Sequence, residues 1–175
     1  MNVFLIADTH FSQASILRFL NEDGSKVRPF STVEEMDEVM IQNWNQTVKP
    51  EDKIYHLGDV AYAKKSIALL SRCNGTKVLI RGNHDIYKLK DYTPYFKDIR
   101  GSHKLDNFVL SHIPIHRDSV TGNKWCEGNI HGHYHSKVVM LDGKPDPVYF
   151  SVSVERIDYT PIPLEEVFRR IRNAK

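Results

Sequence analysis

Seven side chains of metal-ligating type fall in five short motifs: Asp8-Thr9-His10, Gly58-Asp59, Gly82-Asn83-His84-Asp85, Ser111-His112 and Gly132-His133-Tyr134-His135. Two are carboxylates (Asp8, Asp59), four are imidazoles (His10, His112, His133, His135) and one is an amide (Asn83). That donor mixture, without a thiolate, suits Mn²⁺, Fe, Zn²⁺ or Co²⁺ and disfavours a structural zinc site of the cysteine type. Seven ligands exceed what one catalytic ion with an open position can use, but two ions sharing a bridging carboxylate can take them all. Two ions roughly 3.5–4 Å apart lower the pKa of a bound water, align the resulting hydroxide with phosphorus and offset charge on the equatorial oxygens. The chemistry is then phosphate-ester hydrolysis. Its leaving alkoxide needs a proton, and His84 stands beside Asn83 without belonging to the seven, with Asp85 next to it to orient the ring.

Such ligands need a rigid frame. Val3–Ala7 is a continuous apolar run, the pattern of a strand buried on both faces, and it ends at Asp8. Lys53–Leu57 runs into Gly58-Asp59, Lys77–Ile80 into Arg81-Gly82-Asn83, Asn107–Leu110 into Ser111-His112, and Asn129–His131 into Gly132-His133. Every motif therefore sits where a strand gives way to a loop, the edge at which open α/β sheets bind ligands. Between the strands, Ser31 and Thr32 with Glu34 and Glu35 predict a capped helix whose Val33, Met36, Val39, Met40 and Trp44 form a core-facing stripe. A second helix is expected over Lys64–Arg72, and a short one with a loop within Lys88–Arg100. Lys137–Leu141 and Pro147–Val154 read as a hairpin about Asp142-Gly143, and Leu164–Arg172 as a closing helix. The alternation of strand and helix favours an α/β layered fold.

The 175 residues suit one domain, residues 1–175, large enough to bury roughly 70% of its unfolded surface. A formal charge of +2 neither demands nor excludes a nucleic-acid partner. Cys73 and Cys126 lack metal-type spacing, and with no basic leader before the five-residue apolar start they read as reduced thiols in a cytoplasmic protein without a membrane span.

The ordered set of five motifs, spanning residues 8 to 135, resembles the calcineurin-like metallophosphoesterase superfamily. The tract from Phe30 to Asn45 and the tail from Val152 to Glu166 are also similar to a small group of stand-alone bacterial and phage phosphoesterases. The resemblance implies a four-layer αββα sandwich of two mixed sheets flanked by helices. It implies that Asp8, His10 and His135 hold one divalent ion and Asn83, His112 and His133 the other, with Asp59 bridging and His84 as leaving-group acid. Mn²⁺ is the expected metal, with Fe, Zn²⁺, Ni²⁺ and Co²⁺ as alternatives. A small phosphate ester or nucleotide is the expected substrate, and a homo-oligomer is expected by analogy. Many relatives carry a further acidic residue after the Gly-Asp pair, where this chain has Val60-Ala61-Tyr62, so support around the ligands is expected to differ.

Competing readings attach to several residues. His131 alternates in phase with His133, yet the family spacing makes it a core or supporting residue. His56 and His103 read as structural or surface histidines. His116 with Arg117 could touch a substrate phosphate, and Arg81 resembles a phosphate-contacting arginine or else an inward, salt-bridged one. A nuclease acting on single-stranded nucleic acid would use Tyr87, Tyr92, Tyr95 and Phe96 to stack bases beside Lys88, Lys90 and Lys97; the plainer reading is a loop with its own small core. A non-catalytic interaction scaffold on the same fold is the remaining alternative, opposed by the complete ligand set. Residues 21–30 and 115–128 are the expected rims of the substrate cleft.

Overall fold

Apolar β-branched runs that end abruptly at Asp or Gly build the frame. The computed structural model describes residues 1–121 and 125–174, so Gly122, within the expected rim, lies outside the described residues. In the first sheet β1 (Val3–Ile6), β2 (Lys53–His56), β3 (Thr76–Ile80) and β4 (Asp98–Arg100) run parallel, with Leu5 opposite Tyr55 and Tyr55 opposite Val78. The second sheet has the order β10 (Tyr149–Ser151), β7 (Gly128–His131), β6 (Phe108–Ser111), β5 (Ser102–Leu105). Strand β11 (Ile162–Pro163) adds antiparallel to β1 on the first sheet. β5 runs antiparallel to β6, so both sheets are mixed. They meet where Ala7 bridges Ser153, with the Ala7 N–H donating to the Val152 carbonyl (2.8 Å) and the Val154 N–H to that of Ala7 (3.1 Å).

Helix α1 (Val33–Thr47) begins as its sequence asks. Thr32 Oγ1 accepts the Glu35 N–H at 3.1 Å while Glu35 reaches back to the Ser31 N–H at 2.7 Å, so two terminal donors are satisfied. Its Met36, Met40 and Trp44 are fully buried, each stabilising the fold by about 1.5–3 kcal/mol. Helix α2 (Leu89–Tyr92) is one turn, and α3 (Leu164–Asn173) packs on β1, β11 and β10, covering both sheets with Leu164, Val167 and Ile171. The result is an α/β architecture of two mixed sheets flanked by helices, consistent with the expected sandwich.

Three expectations change. Lys64–Arg72 is a 3₁₀ helix; its buried Ile67, Leu70 and Cys73 recur every three residues, which stacks them on one face at three residues per turn. The hairpin is only β8 (Met140–Leu141) with β9 (Lys144–Pro145), although its Asp142-Gly143 turn has the expected positive φ values of 50° and 77°. The Asp146 carboxylate then accepts the Val148 N–H at 3.2 Å and redirects the chain, so Tyr149–Ser151 leaves the hairpin and pairs parallel to β7. Finally β4, β5 and β11 are short strands that alternation does not reveal.

Candidate metal centre

The loops after β1 and β2 are zipped together beyond the strands. Asp8 donates its N–H to the Gly58 carbonyl, His10 to that of Asp59 and Phe11 to that of Val60, each at 3.0 Å. Asp8, His10 and Ser12 all have positive φ (58°, 46° and 63°), and the turn they make is pinned by Asp37 of α1, which accepts the Ser12 N–H and hydroxyl. Asp59, His133 and His135 also lie in the left-handed region. Non-glycine residues there are strained, and strain of this kind collects at functional sites because surrounding structure holds it in place. Close approach is enforced by glycine: a Cβ on Gly58 would fall 2.6 Å from the Gly82 nitrogen, and one on Gly82 2.6 Å from the Asp59 nitrogen.

Two clusters result. Asp8, His10 and His135 offer ligand atoms all within 4.8 Å of one another, and so do Asp59, His112 and His133. Asp59 faces both: its Oδ2 is 3.5 Å from His10 Nε2 and 3.4 Å from His112 Nε2. Asn83 joins the second cluster, its Oδ1 2.9 Å from His112 Nε2. The sheets thus bring the seven expected ligands to one place.

The chemistry of this nest fits divalent cations. His10 Nε2 is buried without a hydrogen-bond partner, and burial and Arg28 together push the His10 pKa down to about 3, which keeps the neutral, ligating form. Burial drives Asp8 up to about 6 against the lowering charges of His135 and His112, so this carboxylate lacks enough positive charge nearby. Burial also acts to raise Asp59, but the adjacent His112 ring, the His84 N–H and His10 outweigh it and hold the carboxyl at about 2. A cation beside Asp8 would supply the missing charge.

Supporting residues come from places the motifs do not reach. Arg28, fully buried, donates Nε to Glu155 at 2.7 Å and Nη1 to the Thr9 carbonyl at 2.9 Å, and its Nη2 bonds the Asp8 carbonyl. Glu155 in turn meets His135 Nδ1 at 2.9 Å, and burial notwithstanding, Arg28 and His135 hold its carboxyl down at about 2. Ser153 donates to Asp8 Oδ2 at 2.6 Å. On the other side the Leu57 carbonyl lies 2.7 Å from His112 Nδ1, which turns Nε2 towards Asp59. The sequence signal for Arg28, Ser153 and Glu155 lies only in isolated polar residues inside a loop and a tail.

Asp85 does not orient the His84 ring. Its buried carboxylate is saturated by backbone: Oδ2 accepts from Gly82 (2.8 Å) and Asp59 (2.9 Å), and Oδ1 from Val60 (3.0 Å), which ties the β2 and β3 loops together. His84 is exposed, its N–H on Asp59 Oδ1 at 2.8 Å and its ring centroid 5.4 Å from that of His10.

The other candidates take up structural or surface places. Arg81 donates to the Asp85 and Tyr87 carbonyls at 2.6 and 2.9 Å, so it braces its own loop. Arg117 pairs with Asp146 at 2.8 Å, while His116 is exposed. His131 is buried, with Nδ1 2.7 Å from the Gly132 carbonyl and its ring between Tyr134 and Tyr149. His56 is buried 2.9 Å from Thr9 Oγ1, and His103 stacks on Tyr55. Tyr92 and Phe96 are buried and Tyr87 and Tyr95 pack against the core, leaving no stacking platform of four rings for single-stranded nucleic acid. Cys73 and Cys126 are free and buried, and burial pushes the Cys73 thiol up to about 12. Among the described residues no helix is long and apolar enough to cross a membrane.

Residues 1–171 match the model of the calcineurin-like phosphoesterases. An uncharacterized protein of Methanocaldococcus jannaschii is 36% identical over 185 residues, covering 99% of this chain and 93% of its own. A solved structure of a protein of unknown function from Aquifex aeolicus superimposes with a TM-score of 0.73 at 25% identity, over 96% of this chain and 98% of that one.

Proposed function

The chain belongs to the calcineurin-like phosphoesterase family, and we propose that it is a metal-dependent hydrolase of phosphate esters acting as one domain over residues 1–175. The observation that carries this is the Asp59 carboxylate, 3.5 Å from His10 Nε2 and 3.4 Å from His112 Nε2, at the junction of two ligand clusters. Asp8, His10 and His135 would hold one divalent ion and Asn83, His112 and His133 the other, with Asp59 shared. Such a pair supplies Lewis-acid activation of water and neutralises phosphoryl charge. Mn²⁺ suits the mixed oxygen and nitrogen donors.

The chain's own groups do the rest. Glu155 and the Leu57 carbonyl hold the His135 and His112 rings by Nδ1, so both present Nε2. Exposed His84, whose loop is tied to Asp59, gives a proton to the leaving oxygen. Asp85 acts through the backbone it gathers, as a positioning residue. Buried free thiols favour a reducing, cytoplasmic setting. Metal analysis of the purified protein, with hydrolysis of p-nitrophenyl and bis-p-nitrophenyl phosphate under Mn²⁺, Ni²⁺, Zn²⁺ and Mg²⁺, tests the reading. Tight metal and turnover of at least one ester are expected; a protein that binds no metal and hydrolyses neither ester overturns it.

A further inference from the structure

A cleft of about 380 Å³ opens beside the second cluster, lined by Ile113, Ile115, Arg81, Gly101 and Ser102. Asn83 and His112 line it as well, so it is continuous with the candidate metal centre. Most of its exposed area is apolar, although Arg81, Ser102 and Ser111 also line it. Ile113 is 50% exposed immediately after a candidate ligand, so an aliphatic side chain borders the candidate centre. The Ile113 segment is not loose: Ser111 Oγ donates to the Ile113 carbonyl at 2.7 Å, the Ile115 N–H donates to Asn129 Oδ1 at 3.0 Å and Tyr149 donates its hydroxyl to the Ile115 carbonyl at 2.7 Å. Arg81, also in the lining, is braced by the Asp85 and Tyr87 carbonyls. At Gly101 a Cβ would meet nothing within 4 Å, and its φ is not in the left-handed region.

We infer that this cleft takes the apolar or planar organic group of the phosphate ester, an aryl or nucleobase-bearing substituent, while its phosphoryl group lies at Asn83 and His112. The inference rests on the proposed phosphoesterase reading and assigns a substrate class to it. A preformed apolar slot next to a charge-neutralising centre binds such esters through burial of one face of the ring on Ile113 and Ile115. Methyl or other small esters gain nothing there.

Equilibrium binding of phenylphosphonate and methylphosphonate to the Mn²⁺-loaded chain, by calorimetry, tests this without turnover. The wild type is expected to prefer phenylphosphonate by about tenfold, the order that follows when one face of a phenyl ring leaves water. Gly101→Phe, which fills the cleft from a position with open space, and Ile113→Ser, which removes its wall, should each bring the preference close to one. Circular dichroism melting establishes that both variants are folded. Two folding-competent variants that keep the full preference overturn the assignment, as does a wild type that binds both phosphonates equally; in either case the phosphoryl centre stands. If neither phosphonate binds with Mn²⁺ present, the phosphoesterase reading fails and the cleft assignment fails with it.

Discussion

The two candidate metal positions are built on opposite principles. Around Asp8, His10 and His135 the support runs deep: Asp8 and His10 are buried, His135 is partly exposed, and behind them lie a fully buried Arg28, with Glu155 and Ser153. Around Asp59, His112 and His133 the inner face is equally fixed, but Asn83 is exposed and the cleft toward Ile113 begins there. On the proposed reading, the first position would hold its ion and the second, through Asn83, would exchange it. Burial desolvates ligands and preorganises them, and an exposed amide can move aside or share its ion with substrate.

The shared residue gives the largest expected effect. Asp59→Asn removes the charge common to both positions and should lower hydrolysis of an aryl phosphate by at least about 10³-fold, the several kcal/mol that a metal pair supplies. His84→Ala should lower kcat by about 10²-fold while metal content, read by mass spectrometry, stays as in the wild type. Loss of metal in that variant would move His84 from proton donor to ligand. The comparison itself is sharpened by Glu155→Gln against Asn83→Ala. Freeing His135 from its carboxylate should weaken only the first position, by about 10- to 100-fold, so a metal titration resolves one tight and one weak ion. Asn83→Ala should weaken the second, and identical titrations from the two variants would erase the distinction.

The smallest effect lies behind the site. Burial holds His56 at about 3 and His131 at about 4, both below the ordinary imidazole value near 6.5. Each is neutral in the fold while the unfolded chain takes up a proton below pH 6.5. The stability they contribute is therefore complete above pH 6.5 and is lost as pH falls from there toward 4 and 3. The melting temperature should fall over that window, and His56→Gln should flatten part of the decline. A melting temperature level from pH 7 to 4 would contradict the burial of these rings.

Legibility in the sequence follows the range over which each feature is decided. Asp8, Asp59 and Asn83 stand at the ends of β1, β2 and β3 because an apolar run stops at a polar residue, a local event that twenty residues display. The α1 cap at Thr32 is equally local, whereas Arg28 meets Glu155 across 127 residues and Ser153 meets Asp8 across 145. No window of sequence contains both partners. Asp85 illustrates the intermediate case: its place beside His84 suggested a ring contact, yet a buried carboxylate is best satisfied by several fixed N–H donors, and three were nearer. The strand expected within Pro147–Val154 forms at Tyr149–Ser151 but pairs with β7 rather than in the hairpin, since alternation marks a strand without naming its neighbour.

By itself the sequence determined the donor types, their order and the α/β frame, because apolar runs and the residues that interrupt them are properties of neighbouring side chains. Tertiary structure alone decided which glutamate holds His135, what Asp85 binds and where a cleft opens beside Asn83 and His112. Those outcomes depend on distances between strands of two sheets that meet at the Ala7–Ser153 bridge, and on the desolvation that joining imposes.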